Sequence, residues 1–76
     1  MTAIADRLDA RGLNCPLPIL RTRKAINQLA SGQILEVSAT DPGSLKDMAA
    51  FCSQTGNRLL SSSEAGNSFV FLIEKA

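Results

Sequence analysis

Gly12-Leu13-Asn14-Cys15-Pro16-Leu17-Pro18 is the stretch on which the reading of this chain turns: a cysteine set between a glycine and two prolines. Upstream the pattern is that of a strand, and downstream the residues turn helix-like, so the stretch marks a strand-to-helix junction. Pro16 suits the first helical position, because its missing N–H would have had no intrahelical partner and its φ already fits a helix. Pro18 falls within the same first turn and costs no ladder bond. Cys15 is then the residue just ahead of the helix, on a loop facing water and at the positive end of the helix dipole. A thiol so placed is expected to lose its proton readily and act as a nucleophile.

Moving outward, Asp6 to Ala10 alternate loosely and predict a short first strand. From Pro16 to about Ala30, Ile19, Ile26, Leu29 and Ala30 share one helical face with Leu20 at its margin, and Arg21, Lys24 and Gln28 lie opposite. Ser31-Gly32 ends that helix. Gln33 to Thr40 reads as a strand with Leu35, Val37 and Ala39 on one face and Ile34, Glu36 and Ser38 on the other. Asp41-Pro42-Gly43-Ser44 turns into a second helix, where Ser44 with Asp47 resembles a capping box and Asp41 is a competing cap. Leu45, Met48, Ala49 and Cys52 form its apolar stripe, and Gly56-Asn57 stops it. Arg58–Glu64 and Ser68–Lys75 are strands joined by Ala65-Gly66-Asn67. The last strand is apolar on both faces (Phe69, Phe71 and Ile73; Val70 and Leu72), which places it inside the sheet. The order β-α-β-α-β-β predicts an α/β two-layer sandwich, with two helices on one face of a four-stranded sheet.

Seventy-six residues with a formal charge of +1 suit a single domain spanning residues 1–76 and give no general case for nucleic acid or anionic membrane. No apolar run approaches the roughly 18–20 residues that span a bilayer. Met1 to Arg7 has no signal-peptide core, so the protein is expected in the cytoplasm. Two cysteines and no histidine cannot supply the ligand set of a structural zinc site, and they exclude a Cys-His dyad within the chain. What remains is thiol chemistry without a resident general base.

Asn14 and two prolines are poor company for a core cysteine, so Cys15 reads as reactive. Pro16 and Pro18 remove two possible amide donors, leaving those of Leu17 and Ile19 with the helix dipole, so any lowering of the Cys15 pKa is expected to be moderate. Such a thiol suits sulfur exchange, in which a thiol of very low pKa is the weaker nucleophile. Gly12, Asn14, Pro16 and Pro18 would hold the sulfur outward. Arg11, Arg21, Arg23 and Lys24, close to it in sequence, would draw an acidic partner surface. Cys52, on the apolar stripe of the second helix, reads as buried and inert. Asp9 and Asp41 read as turn or cap residues.

With Leu8-Asp9, Gly12-Leu13, Cys15-Pro16-x-Pro18, Gly32, Asp41-Pro42, Asp47, Phe51-Cys52, Gly56 and Ile73-Glu74-Lys75 in this register, the chain resembles the TusA/SirA family of small sulfur carriers. The resemblance implies a fold similar to the C-terminal domain of translation initiation factor three, with a mixed sheet. It also implies that Cys15 carries sulfane sulfur as a persulfide, with no separate cofactor and no metal. The sulfur would come from a cysteine desulfurase or rhodanese-like donor and pass to a cysteine of a DsrE-like acceptor. It would serve tRNA 2-thiouridine synthesis, molybdenum-cofactor assembly or sulfur oxidation. The expected protein is a monomer that works with partner enzymes, binds no membrane and has no strong nucleic-acid affinity. The alternatives are a stand-alone thiol enzyme, which would need a resolving thiol near Cys15, and a nucleic-acid-binding or regulatory module.

Overall fold

The computed structural model describes residues 3–76. Met1 and Thr2, part of the N-terminal stretch read for a targeting signal, lie outside the described residues. The elements are β1 (Ile4–Ala10), α1 (Leu17–Ile26), β2 (Ile34–Ala39), α2 (Ser44–Thr55), β3 (Arg58–Ala65) and β4 (Ser68–Glu74). The sheet runs β1-β2-β4-β3, with β1 parallel to β2 and both β4 pairings antiparallel. A parallel pair needs a crossover, and α1 makes it. β4 lies inside the sheet, as its two apolar faces require.

Register decides where the core sits. Leu8 pairs with Val37 and Ala10 with Ala39, while Val37 pairs with Phe71 and Leu35 with Ile73, so these side chains meet on one face. That face, covered by both helices, forms a continuous core with Ile26 from α1 and Met48, Phe51 and Cys52 from α2. The opposite face carries the cross-strand pairs Arg7–Glu36 at 3.6 Å and Arg58–Glu74 at 3.7 Å. A bulge between Leu59 and Ser61 breaks the alternation of β3 and leaves Leu60 exposed.

Both helices depart in detail from the pattern expected. α1 begins at Leu17, with Pro16 as its cap residue, and ends at Ile26 rather than near Ala30. Its buried side is Pro18, Thr22 and Ile26, with Ile19 and Leu29 half-buried and Leu20 and Ala30 exposed. Burial of Pro18 in the first turn sets that face. In α2 the buried side is Ser44, Met48, Phe51 and Cys52, and Leu45 and Ala49 are exposed. The stripe rotates because turning the Phe51 ring inward removes more apolar surface than turning Ala49 inward. Neither expected cap of α2 forms. Gly43 occupies the cap position without a side-chain bond, and Ser44 is buried with its hydroxyl unpartnered. Gly56 ends α2 in the left-handed region (φ 81°), donating its N–H to the Cys52 carbonyl at 3.0 Å.

Candidate functional site

The cysteine loop is stitched to the end of β2. Gly12, at φ 81°, turns the chain out of β1 and donates its N–H to the Thr40 hydroxyl at 2.9 Å. Leu13 donates back to the Ala10 carbonyl at 3.3 Å. The Cys15 amide donates to Asp41 Oδ2 at 2.8 Å, while Asp41 Oδ1 accepts the Gly43 N–H at 3.1 Å. Asp41 thus acts as an Asx turn that also anchors the loop opposite.

Cys15 is exposed and opens onto a groove of about 210 Å³ between the helices. Pro16, Ile19 and Arg23 form the α1 wall, and Asp47, Ala50, Phe51 and Gln54 form the α2 wall. The Arg23 guanidinium lies 5.7 Å from the centroid of the Phe51 ring, within cation–π range. The groove is lined mostly by apolar surface, carries Arg23 and Asp47 as its charged residues, and is open to water.

The expectation of a readily ionised thiol does not hold. The Asp47 carboxylate, which lines the same groove, pushes the Cys15 thiol above its usual pKa range, and local burial and the charge of Asp41 push the same way. The backbone explains why the helix start does not compensate. The Cys15 amide is taken by Asp41 and the Leu17 amide by the Asn14 carbonyl at 2.9 Å, and Pro16 and Pro18 have none. Of the two donors expected for a thiolate, only the Ile19 amide is left.

Among the basic residues, only Arg23 lines the Cys15 groove. Arg11 is held by Asp9 through bonds of 2.8 and 3.0 Å. Arg21 and Lys24 flank a separate depression with Leu8, Ala25 and Gln28. Helical geometry separates them: Arg21 and Arg23 stand about 200° apart around the axis at 3.6 residues per turn. Asn14 contributes its carbonyl to the first turn, and Pro18 sits buried beneath the loop. Cys52 is buried, 4 % exposed, and does not line the groove. Its thiol is pushed up by burial.

Asp47, expected in a capping box, instead lines the groove as part of the α2 wall. A signal was present: Asp47, Ala50, Phe51 and Gln54 follow the spacing i, i+3, i+4, i+7, one face of a helix. The same step on α1 joins Pro16, Ile19 and Arg23.

A family model described as sulfurtransferase TusA matches residues 6–75. The chain belongs to the TusA family. Over its full length it is 58 % identical to the sulfur carrier protein TusA of Allochromatium vinosum, covering all of both chains. It is 41 % identical to the sulfur carrier protein TusA of Pseudomonas entomophila, over 90 % of this chain and 85 % of that one. The crystal structure of a SirA-like protein from Desulfitobacterium hafniense superposes with a TM-score of 0.78 at 24 % identity, covering 93 % and 96 % of the two chains. That likeness shows the fold.

Proposed function

We infer that the protein is a sulfur carrier that holds sulfane sulfur as a persulfide on Cys15. A cysteine desulfurase or rhodanese-like protein supplies the sulfur, and a cysteine of a DsrE-like acceptor takes it, in a relay that serves tRNA 2-thiouridine synthesis or dissimilatory sulfur oxidation. The observation that carries this reading is the exposed Cys15 thiol at the rim of an open groove. Membership of the TusA family and the carrier names of its relatives support it.

The chemistry needs little else. The Cys15 thiolate attacks the outer sulfur of the donor's persulfide, a new S–S bond forms, and the donor cysteine leaves as a thiolate. The sulfane sulfur keeps its oxidation state, so no oxidant or reductant is consumed. Delivery repeats the step with Cys15 as the leaving group. An open groove admits a partner's cysteine loop, whereas a closed pocket would not. The partner supplies whatever further proton handling the exchange requires.

Cys52, buried and away from the groove, is poorly placed as a resolving thiol, which disfavours a stand-alone thiol enzyme. Pairing of Arg7, Arg11 and Arg58 with carboxylates disperses the basic charge, so strong salt-dependent RNA binding is not expected. The ion pairs on the uncovered sheet face fit a monomer, and no described helix is long and apolar enough to cross a membrane. The reading places the carrier in the cytoplasm with its donor.

The test is a hand-off. Protein loaded with sulfur and purified from its donor is mixed with an acceptor protein bearing a reactive cysteine. One sulfur atom per carrier should move to the acceptor without added reductant. Repeated turnover of a small substrate by the isolated protein would instead make it an enzyme in its own right.

A further inference from the structure

Cys15 sits among acidic rather than basic neighbours. Asp47, in the first turn of α2, lines the same groove as the sulfur and is half-buried there. None of the ion pairs among the described residues engages it. Arg23, the cation that lines the groove, rests over the Phe51 ring instead. From the loop before α2, Asp41 spends both carboxylate oxygens on the amides of Cys15 and Gly43. The backbone groups that would have stabilised a thiolate are consumed or absent: Cys15 and Leu17 donate elsewhere, and Pro16 and Pro18 have no N–H. A bare thiolate there faces the Asp47 carboxylate across the groove and has few donors.

We propose that Asp47 is a positioning residue that keeps the Cys15 sulfur protonated and turned into the groove until a cation is brought against its carboxylate. The proposal rests on the carrier reading and adds a selectivity to it. Small electrophiles and oxidants, which attack the thiolate, meet a quiescent thiol. A donor or acceptor protein that presents lysine or arginine to Asp47 neutralises the negative charge facing the sulfur, and the thiol proton passes to solvent. The thiolate fraction then rises at the moment of docking. The upward shift of the thiol agrees in direction. The charged groups facing the sulfur are Asp47 from α2, Asp41 from the β2–α2 loop and Arg23 from α1.

The experiment follows Cys15 alkylation by iodoacetamide against pH, in a Cys52→Ser background, for the parent protein and for Asp47→Asn, Asp47→Lys and Asp47→Glu. Asp47→Asn should move the midpoint to lower pH and raise the rate at pH 7 about threefold. For each tenfold gain in thiolate, weaker intrinsic nucleophilicity takes back roughly threefold. Asp47→Lys, a cation fixed at that position, should move the midpoint further, and Asp47→Glu should retain the parent profile. Midpoints unmoved in both Asn and Lys variants would overturn the proposal. Should a variant fail to fold, the parent protein still decides: the Asp47 carboxyl carbon shift must show an inflection at the midpoint of Cys15 alkylation, and its absence refutes the contact. Persulfide loading from a cysteine desulfurase with cysteine, a protein donor that can dock, read by mass on the same samples, separates the two levels. Parent protein that titrates as described but takes no sulfur would sink the carrier reading and leave the role of Asp47 standing.

Discussion

The amide of Cys15 donates to Oδ2 of Asp41 at 2.8 Å, across a separation of 26 residues. One carboxylate thereby fixes the turn into α2 and the loop that carries the sulfur. Asp41→Ala removes both acceptors and should cost about 1–2 kcal/mol in urea unfolding, as hydrogen bonds to a partly exposed charge do. Asp41→Asn keeps a single carbonyl oxygen and should cost about half as much. In both variants the Cys15 amide should exchange with solvent faster than in the parent protein. Unchanged exchange would show that the loop is held by other contacts.

Asp9 and Arg11 give a pH signature. The side-chain and backbone hydrogen bonds from Arg11 hold the Asp9 carboxyl down at about 2. A folded pKa below the unfolded value of roughly 3.9 means a stabilising contribution that is complete above that pH. It is lost as pH falls through about 2. Because both groups are exposed, the stability change should be small, and the sensitive readout is the Asp9 carboxyl titration by NMR. Its midpoint should rise part of the way toward the ordinary carboxylate range in Arg11→Ala, which removes the guanidinium and leaves the backbone N–H bond in place.

Two buried hydroxyls, Thr22 Oγ1 and Ser44 Oγ, have no hydrogen-bond partner. Removing a polar atom that burial leaves unsatisfied should stabilise the fold. Thr22→Val, which keeps the shape, should gain about 0.5–1.5 kcal/mol and raise Tm by several degrees in a domain of this size. Ser44→Ala should act in the same direction. A loss of stability in both would point to ordered water bound at these hydroxyls.

Phe71 is fully buried in the interior strand, paired with Val37 and Ser62. Phe71→Ala should cost about 3–5 kcal/mol, a large part of the total stability of a domain this small. Little or no folded protein in circular dichroism is the expected result. A mild effect would mean that the core collapses around the gap.

How much of this was legible beforehand differs from residue to residue. The interior position of β4 followed from Phe69, Phe71 and Ile73 on one face and Val70 and Leu72 on the other, since no edge strand hides both. The strand-to-helix junction at Cys15 followed from Gly12, Pro16 and Pro18, with an error of one residue because Pro16 caps the helix rather than starting it. The fold was therefore readable in local pattern. Electrostatics at the sulfur was not, because it depends on Asp41 and Asp47, which reach Cys15 only through the packing of α1 against α2. The basic residues misled in a similar way: nearness in sequence put Arg11, Arg21 and Lys24 beside the cysteine, but Asp9 holds Arg11 and the helix turns Arg21 and Lys24 away. Phe51 outweighed the regular stripe of α2 through size, a competition that periodicity does not register.

The central claim is that sulfur is carried on Cys15, and intact-mass measurement tests it most directly. After incubation with a cysteine desulfurase and cysteine, the protein should gain the mass of one sulfur atom, located by peptide mapping to the Cys15 peptide. Cys52→Ser should load like the parent protein, and Cys15→Ser should not load at all. Normal loading of Cys15→Ser would contradict the account.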